Sequence, residues 1–459
     1  MAGNGRQDFS QASTADIAGY AFEKFASFRP FELLSENFVI ESWSPAVSAS
    51  LHDLSSVALK APYIAFEMEL DGSGAGVAVT GPGLAVHCSF DPGAGTQQIV
   101  VTVNDDARVV ASSTASIGSG AIVAVTVTEN VVTLWEQSKG HWDAFLTHRL
   151  DPESEVDLPA AAGTGHLRAV AVGSPASVSV GYFGHTGLRD PQLVKHMDGS
   201  NYMIDGRLLA TMTCAGPGPF QTAHWGVFSI DPDNPCDMVQ VGHLFFERDG
   251  RILGDHAGQI VIEDDGSAIV VVSSWGDFDE NVHIRHLRTD TEILSGVHVL
   301  SSEPLALPTA FNTWDPTLQH HEGRWWLGFV ECQAFSPRFD FRPALARAQE
   351  GASYNSEYDY VGADLLHHQT EGTILTQLGT ELRLLASDGD AKDYPVYDLQ
   401  MNRIAQIRAP YESNIPHPLL IDRPETTWMI TFDGTPVSPE ILGYGTHGDI
   451  LIFHSRKKP

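Results

Sequence analysis

The chain of 459 residues reads as almost entirely β-structure: a two-sheet sandwich followed by a five-bladed propeller. Three observations predict this. Forty-two glycines and twenty-six prolines punctuate short runs rich in Val, Ile, Thr and aromatics, and such runs favour strands joined by tight turns. From about Phe31 to Phe183 apolar and polar positions alternate, and beyond Gly187 a longer repeat replaces that pattern. The length exceeds one ordinary core, and the 42% hydrophobic content fills more than one.

Residues 1–30 read as an N-terminal extension. Its opening, "MAGNGRQDFSQASTADIAGY", has no basic segment leading into an apolar core, so the expected location is cytoplasmic, and no run is long enough to span a membrane. Residues 31–186 form the first domain. "YIAFEMEL", "QQIVVTVN", "AIVAVTVT" and "HLRAVAVG" each repeat with period two, as strands with one buried face do, and two packed sheets of jelly-roll type accommodate them.

Residues 187–459 form the second domain. Its unit is a small polar or acidic element, an apolar strand, a turn and a second apolar strand. The anchors Asp190, Asp255, Asp315, Glu371 and His417 are spaced 65, 60, 56 and 46 residues apart, close to a four-stranded propeller blade. Innermost strands of a propeller line one axis, so these distant side chains converge on a single funnel.

Charge and cysteine usage exclude several classes. Fifty-eight acidic against twenty-seven basic residues, a formal charge of -31, repel a nucleic-acid backbone or an anionic membrane. Cys88, Cys214, Cys236 and Cys332 lack the CxxC spacing of zinc or redox sites. The pairs His320, His321 and His367, His368 are adjacent on strands and point to opposite faces, which argues against chelation.

Carboxylates meeting in a funnel suit glycosidic bond cleavage, which needs one protonated acid and one ionised partner. A third carboxylate raises the acid's pKa by repulsion. Aromatics beside the anchors, Trp275, Trp314 and Tyr394, offer faces for a sugar ring, and Asp255 and His256 offer hydrogen bonds to its hydroxyls. Glu331 in "FVECQ" is a second candidate acid nearer the blade rim.

The order "RDP", "WDP" with "EGRWWLGF" behind it, "TEG" with "LLASDG", and a histidine before the last inner strand resembles the five-bladed propeller of glycoside hydrolase family 43 and its relatives. The resemblance implies an inverting hydrolase of pentose- or furanose-containing oligosaccharides. It makes Asp190 the general base, Asp315 the residue that orients the acid and tunes its pKa, and Glu371 the general acid. His417 would be the axial histidine that helps to hold a water or calcium ion, with no cofactor otherwise required. Asp190 and Glu371 would then stand roughly 6.5–9.5 Å apart. Thr373 replaces the proline usual after the acid's glycine, and "PHP" surrounds the histidine.

Two other classes fit the same propeller. A lyase would use His417 or Tyr394 as base, with Arg189 or Arg403 facing the funnel to neutralise a substrate carboxylate. A glycan-binding protein would use the carboxylates only to hold hydroxyls.

Overall fold

The computed structural model describes residues 22–43, 56–436, 441–442 and 447–456. The first domain is a two-layer sandwich tied together by two long bent strands, Tyr63–Gly81 and Arg168–His185, which pair with each other along most of their length. The first half of Tyr63–Gly81 pairs with Ile122–Thr128 and its second half with Leu84–Asp91, so one strand serves both layers. Both long strands turn the corner at glycines with positive φ, Gly72 and Gly173. A Cβ on Gly173 would stand 2.3 Å from the carbonyl of Gly74, so only glycine permits the crossing.

The second domain is a ring of five blades. The first carries Leu188–Leu193, Arg207–Cys214, His224–Ile230 and Met238–Arg248 from the inside outwards; the second, His256–Ile262, Ala268–Ser273, Ile284–Thr289 and Glu303–Pro304. The third holds Asn312–His321, Arg324–Ala334, Asp340–Ala348 and Tyr358–Ala363, and the fourth Thr370–Leu378, Glu381–Asp388, Tyr394–Tyr397 and Arg403–Ile407. The fifth is completed from both ends of the chain. Leu419–Asp422, Thr426–Pro436 and His447–Arg456 are followed at the outer edge by Glu23–Phe28, which pairs antiparallel with His447–Arg456. Residues expected in an N-terminal extension thus supply a blade strand, covering an edge that would otherwise present unpaired backbone groups.

Four inner strands share one irregularity. Pairing slips between Arg189 and Gln192, His256 and Gly258, Trp314 and Thr317, and Glu371 and Ile374. At each slip one residue has left-handed φ: Asp190 (54°), Ala257 (56°), Asp315 (49°) and Gly372 (73°). These bulges bend the inner strands and re-aim their side chains toward the axis. The true repeat position in the second blade is therefore Ala257, two residues beyond the expected anchor Asp255.

Below the bulges the axis is filled by polar side chains that bond to backbone groups of other blades. Gln192 Nε2 reaches Pro316 O (3.2 Å) and Thr373 O (3.3 Å), Lys195 Nζ donates to Leu375 O at 2.7 Å, and Gln259 Oε1 accepts from Leu318 N at 2.7 Å. The sandwich packs on the outer strands of the first blade, where Tyr63 stacks on Phe245 and its hydroxyl donates to Gln221 O at 2.8 Å.

Candidate active site

Asp190, Asp315 and Glu371 line one cavity of about 500 Å³ at the mouth of the ring, and His417, His256, Trp275 and Trp314 line it with them. Each acid owes its aim to the bulge. Asp190 and Asp315 occupy the left-handed position, which Asp tolerates better than most residues because its short side chain bonds locally. Glu371 stands one residue before it, with Gly372 behind. A Cβ on Gly372 would come within 2.5 Å of the His417 ring, so the "TEG" glycine is required both by its φ and by the histidine packed against it.

His417 binds the acids together. Its Nε2 lies 3.3 Å from Asp190 Oδ1 and 3.2 Å from Asp315 Oδ2. Asp315 Oδ2 also accepts from Gly372 N at 3.0 Å, and Ser273 Oγ bridges the bulges of the second and third blades, receiving Asp315 N at 2.9 Å and donating to Ala257 O at 2.7 Å. Burial would push the imidazole pKa down, but the carboxylates of Asp315 and Asp190 outweigh it and raise His417 to about 9. Burial works against the Asp190 anion too, and the positive charges of His417 and Arg189 overcome it, leaving Asp190 below the ordinary aspartate value. Glu371 goes the other way. Burial first, and then the charge of Asp315, push it up to about 8. Trp314 Nε1 donates to Glu371 Oε2 at 3.2 Å, which offsets part of that rise.

Two expected substrate contacts stand elsewhere. Asp255 is fully buried behind the cavity wall, where both its oxygens take Arg248 (2.8 and 2.9 Å) and one accepts from Gly276 N. Arg248 also pairs with Asp277 at 2.5 Å, so Asp255 belongs to an ion network that shapes the second blade. Tyr394 is fully buried in the core between the fourth and fifth blades, its hydroxyl 3.3 Å from Thr431 Oγ1. The second-choice acid, Glu331, is closed off by Arg342 at 2.7 Å and Tyr360 at 3.0 Å.

The residues do not fit a calcium ion. His417 Nε2 already faces two carboxylates, and the Lys195 ammonium, which donates to Leu375 O, brings a further positive charge to the axis. Among the described residues no group of three or more His, Cys, Asp or Glu side chains is arranged to hold a metal. The four cysteines are free, and His367 and His368 bond separately to Asp364 and Asp340.

Sequence reasoning missed several lining residues. Phe220, Phe278, Phe335, Phe339, Gln369, Asn414 and His447 all face the cavity. Arg189, expected at the funnel only in the lyase reading, lines it too, from a place before Asp190 equivalent to His256, Trp314 and Glu371 in the other blades. The phenylalanines come from loops whose direction no strand period records.

No protein-family model matches the chain, and no curated protein matches it in sequence. Similar solved structures include Bacillus subtilis levansucrase, 10% identical with a TM-score of 0.41, covering 60% of this chain and 85% of that one. The inulosucrase from Halalkalicoccus jeotgali bound to kestose is 13% identical with a TM-score of 0.40, covering 54% of this chain and 76% of that one. At such distances these likenesses assign no role to any residue here. No helix among the described residues is long and apolar enough to cross a membrane.

Proposed function

We propose that the chain is a glycoside hydrolase acting on O-glycosides of a pentose or furanose. The observation that carries this reading is the meeting of Asp190, Asp315 and Glu371 with His417 in one cavity, where their surroundings push two carboxyl groups apart, Glu371 up to about 8 and Asp190 down. Separated environments of this kind divide acid from base in glycosidic cleavage. Glu371 gives its proton to the departing oxygen as the glycosidic bond breaks. Asp190 draws a proton from a water that attacks the anomeric carbon from the opposite face, inverting its configuration. Glu371 leaves the step ionised and Asp190 protonated, and exchange with solvent resets both. Asp315 holds the proton on Glu371 by repulsion. The His417 cation lies between Asp190 and Asp315 and offsets the repulsion between their side chains.

Arg189 in the cavity is the observation that favours elimination instead. That chemistry lacks its expected base, since His417 is held protonated at neutral pH and Tyr394 is sealed in the core. Arg403 points elsewhere, to Asp393 at 3.0 Å.

The test is turnover of a panel of aryl and alkyl pentosides and furanosides by the parent and by Asp190→Asn. Reducing sugar from the parent, falling about 10²–10⁴-fold in the variant, supports hydrolysis. An unsaturated product indicates elimination, and binding without product indicates a glycan receptor.

A further inference from the structure

Four phenyl rings form an arch along one part of the cavity lined by Asp190, Asp315, Glu371 and His417; Glu280, two residues beyond Phe278, is an exposed charged residue of the same lining. Phe220 sits on the short turn Phe220–Thr222 of the first blade, Phe278 follows the turn Trp275–Asp277 of the second, and Phe335 and Phe339 flank the hairpin of the third. Consecutive ring centroids along the arch are 5.4, 5.5 and 5.2 Å apart. All four rings are partly buried and face the cavity.

The arch is held open by its own bonds. Gln221 Nε2 donates to Phe278 O at 2.5 Å, and Gln221 O receives the Tyr63 hydroxyl from the sandwich. Gln369 Nε2 donates to Phe339 O. Phenyl rings carry no donor or acceptor, and their tilted packing, 78° between Phe220 and Phe278 and 58° between Phe278 and Phe335, makes a curved apolar wall in place of a flat platform. A second sugar seated against the four rings would lose water from the hydroxyls that face them, and the rings themselves offer no replacement. An alkyl or aryl group would gain from the same burial.

Resting on the hydrolase reading above, we propose that the arch is a leaving-group site for an apolar aglycone, so that the substrate is an alkyl or aryl glycoside and not the oligosaccharide expected from the sequence. The cavity of about 500 Å³ has room for one sugar at the acids and such a group beside it.

The test is a homologous series of methyl, ethyl, propyl and butyl glycosides of arabinofuranose and xylopyranose, whose leaving groups differ little in acidity. Rates are measured on the parent and on the Phe335→Ser/Phe339→Ser variant. Binding of the same series to Glu371→Gln and to the parent is measured by calorimetry. The proposal expects kcat/KM of the parent to rise about fourfold per added methylene, roughly sixtyfold across the series. It expects the slope to flatten in the double variant. Hydrolysis with no dependence on chain length, or faster hydrolysis of a disaccharide with the same glycone, overturns the apolar site and leaves the hydrolase standing. Chain-length-dependent binding to the parent with no turnover of any member supports the site and overturns the hydrolase. Neither binding nor turnover overturns both.

Discussion

The indole of Trp314 reaches from the third blade to the fourth and donates to Glu371 Oε2 at 3.2 Å. Both residues stand immediately before the left-handed residue of their bulges, so a position that repeats around the ring brings a donor and an acid into contact. The bond favours the ionised glutamate, against burial and Asp315, which favour the acid. Trp314→Phe removes the donor and keeps most of the ring. It is expected to move the basic limb of the kcat/KM profile above the parent's value of about 8.

The parent profile is expected to be bell-shaped. On the proposed mechanism activity requires Glu371 protonated and Asp190 ionised, so it should fall as pH rises through about 8 and, at the other end, only below the ordinary aspartate value. Asp315→Asn deletes a charge that raises Glu371. The basic limb then moves to lower pH, opposite to the Trp314 change, and a pH–rate series on the two variants reads both signs.

Stability follows the same charges. The folded pKa of His417, about 9, exceeds its ordinary 6.5, so the contribution is complete below 6.5 and is lost as pH rises through 9. Glu371 is also raised and tilts the folded state the same way. The melting temperature of the parent should decline between these limits. His417→Gln leaves the buried Asp315 and the partly buried Asp190 without their cation, costs roughly 3–5 kcal/mol, and removes most of the histidine-dependent decline. Thermal scans at several pH values check it.

Asp255 separates structure from chemistry. Asp255→Asn weakens the bidentate hold on Arg248 and is expected to lower stability by about 3 kcal/mol. The folded fraction should keep its pH profile, since the side chain lies behind the cavity wall. Chemical denaturation beside the pH–rate curve distinguishes this from a substrate contact.

The alternation of "QQIVVTVN" and its neighbours records the sandwich because one face of each strand is buried and the other wet. The blade repeat records the ring, and with it the meeting of Asp190, Asp315 and Glu371, because each unit begins at the axis. What escaped lies where spacing says nothing of direction. Asp255 precedes its bulge by two residues and turns into the blade, and the conformation of Ala257 leaves no mark in its side chain. Tyr394 opens an outward strand of the fourth blade and packs against the fifth, a contact set by how neighbouring blades meet. The closing strand Glu23–Phe28 lies more than 400 residues from its partner, and no local pattern announces such a pairing.

The proton on Glu371 can be observed without knowing the sugar. Infrared difference spectra of the parent against Glu371→Gln, taken across the pH range, isolate its carboxyl band from those of other buried acids with raised values such as Glu129. A protonated carboxyl band present at pH 7, titrating near 8 and absent from the variant is the predicted result. An ionised Glu371 at neutral pH, titrating at the ordinary glutamate value, would contradict the account.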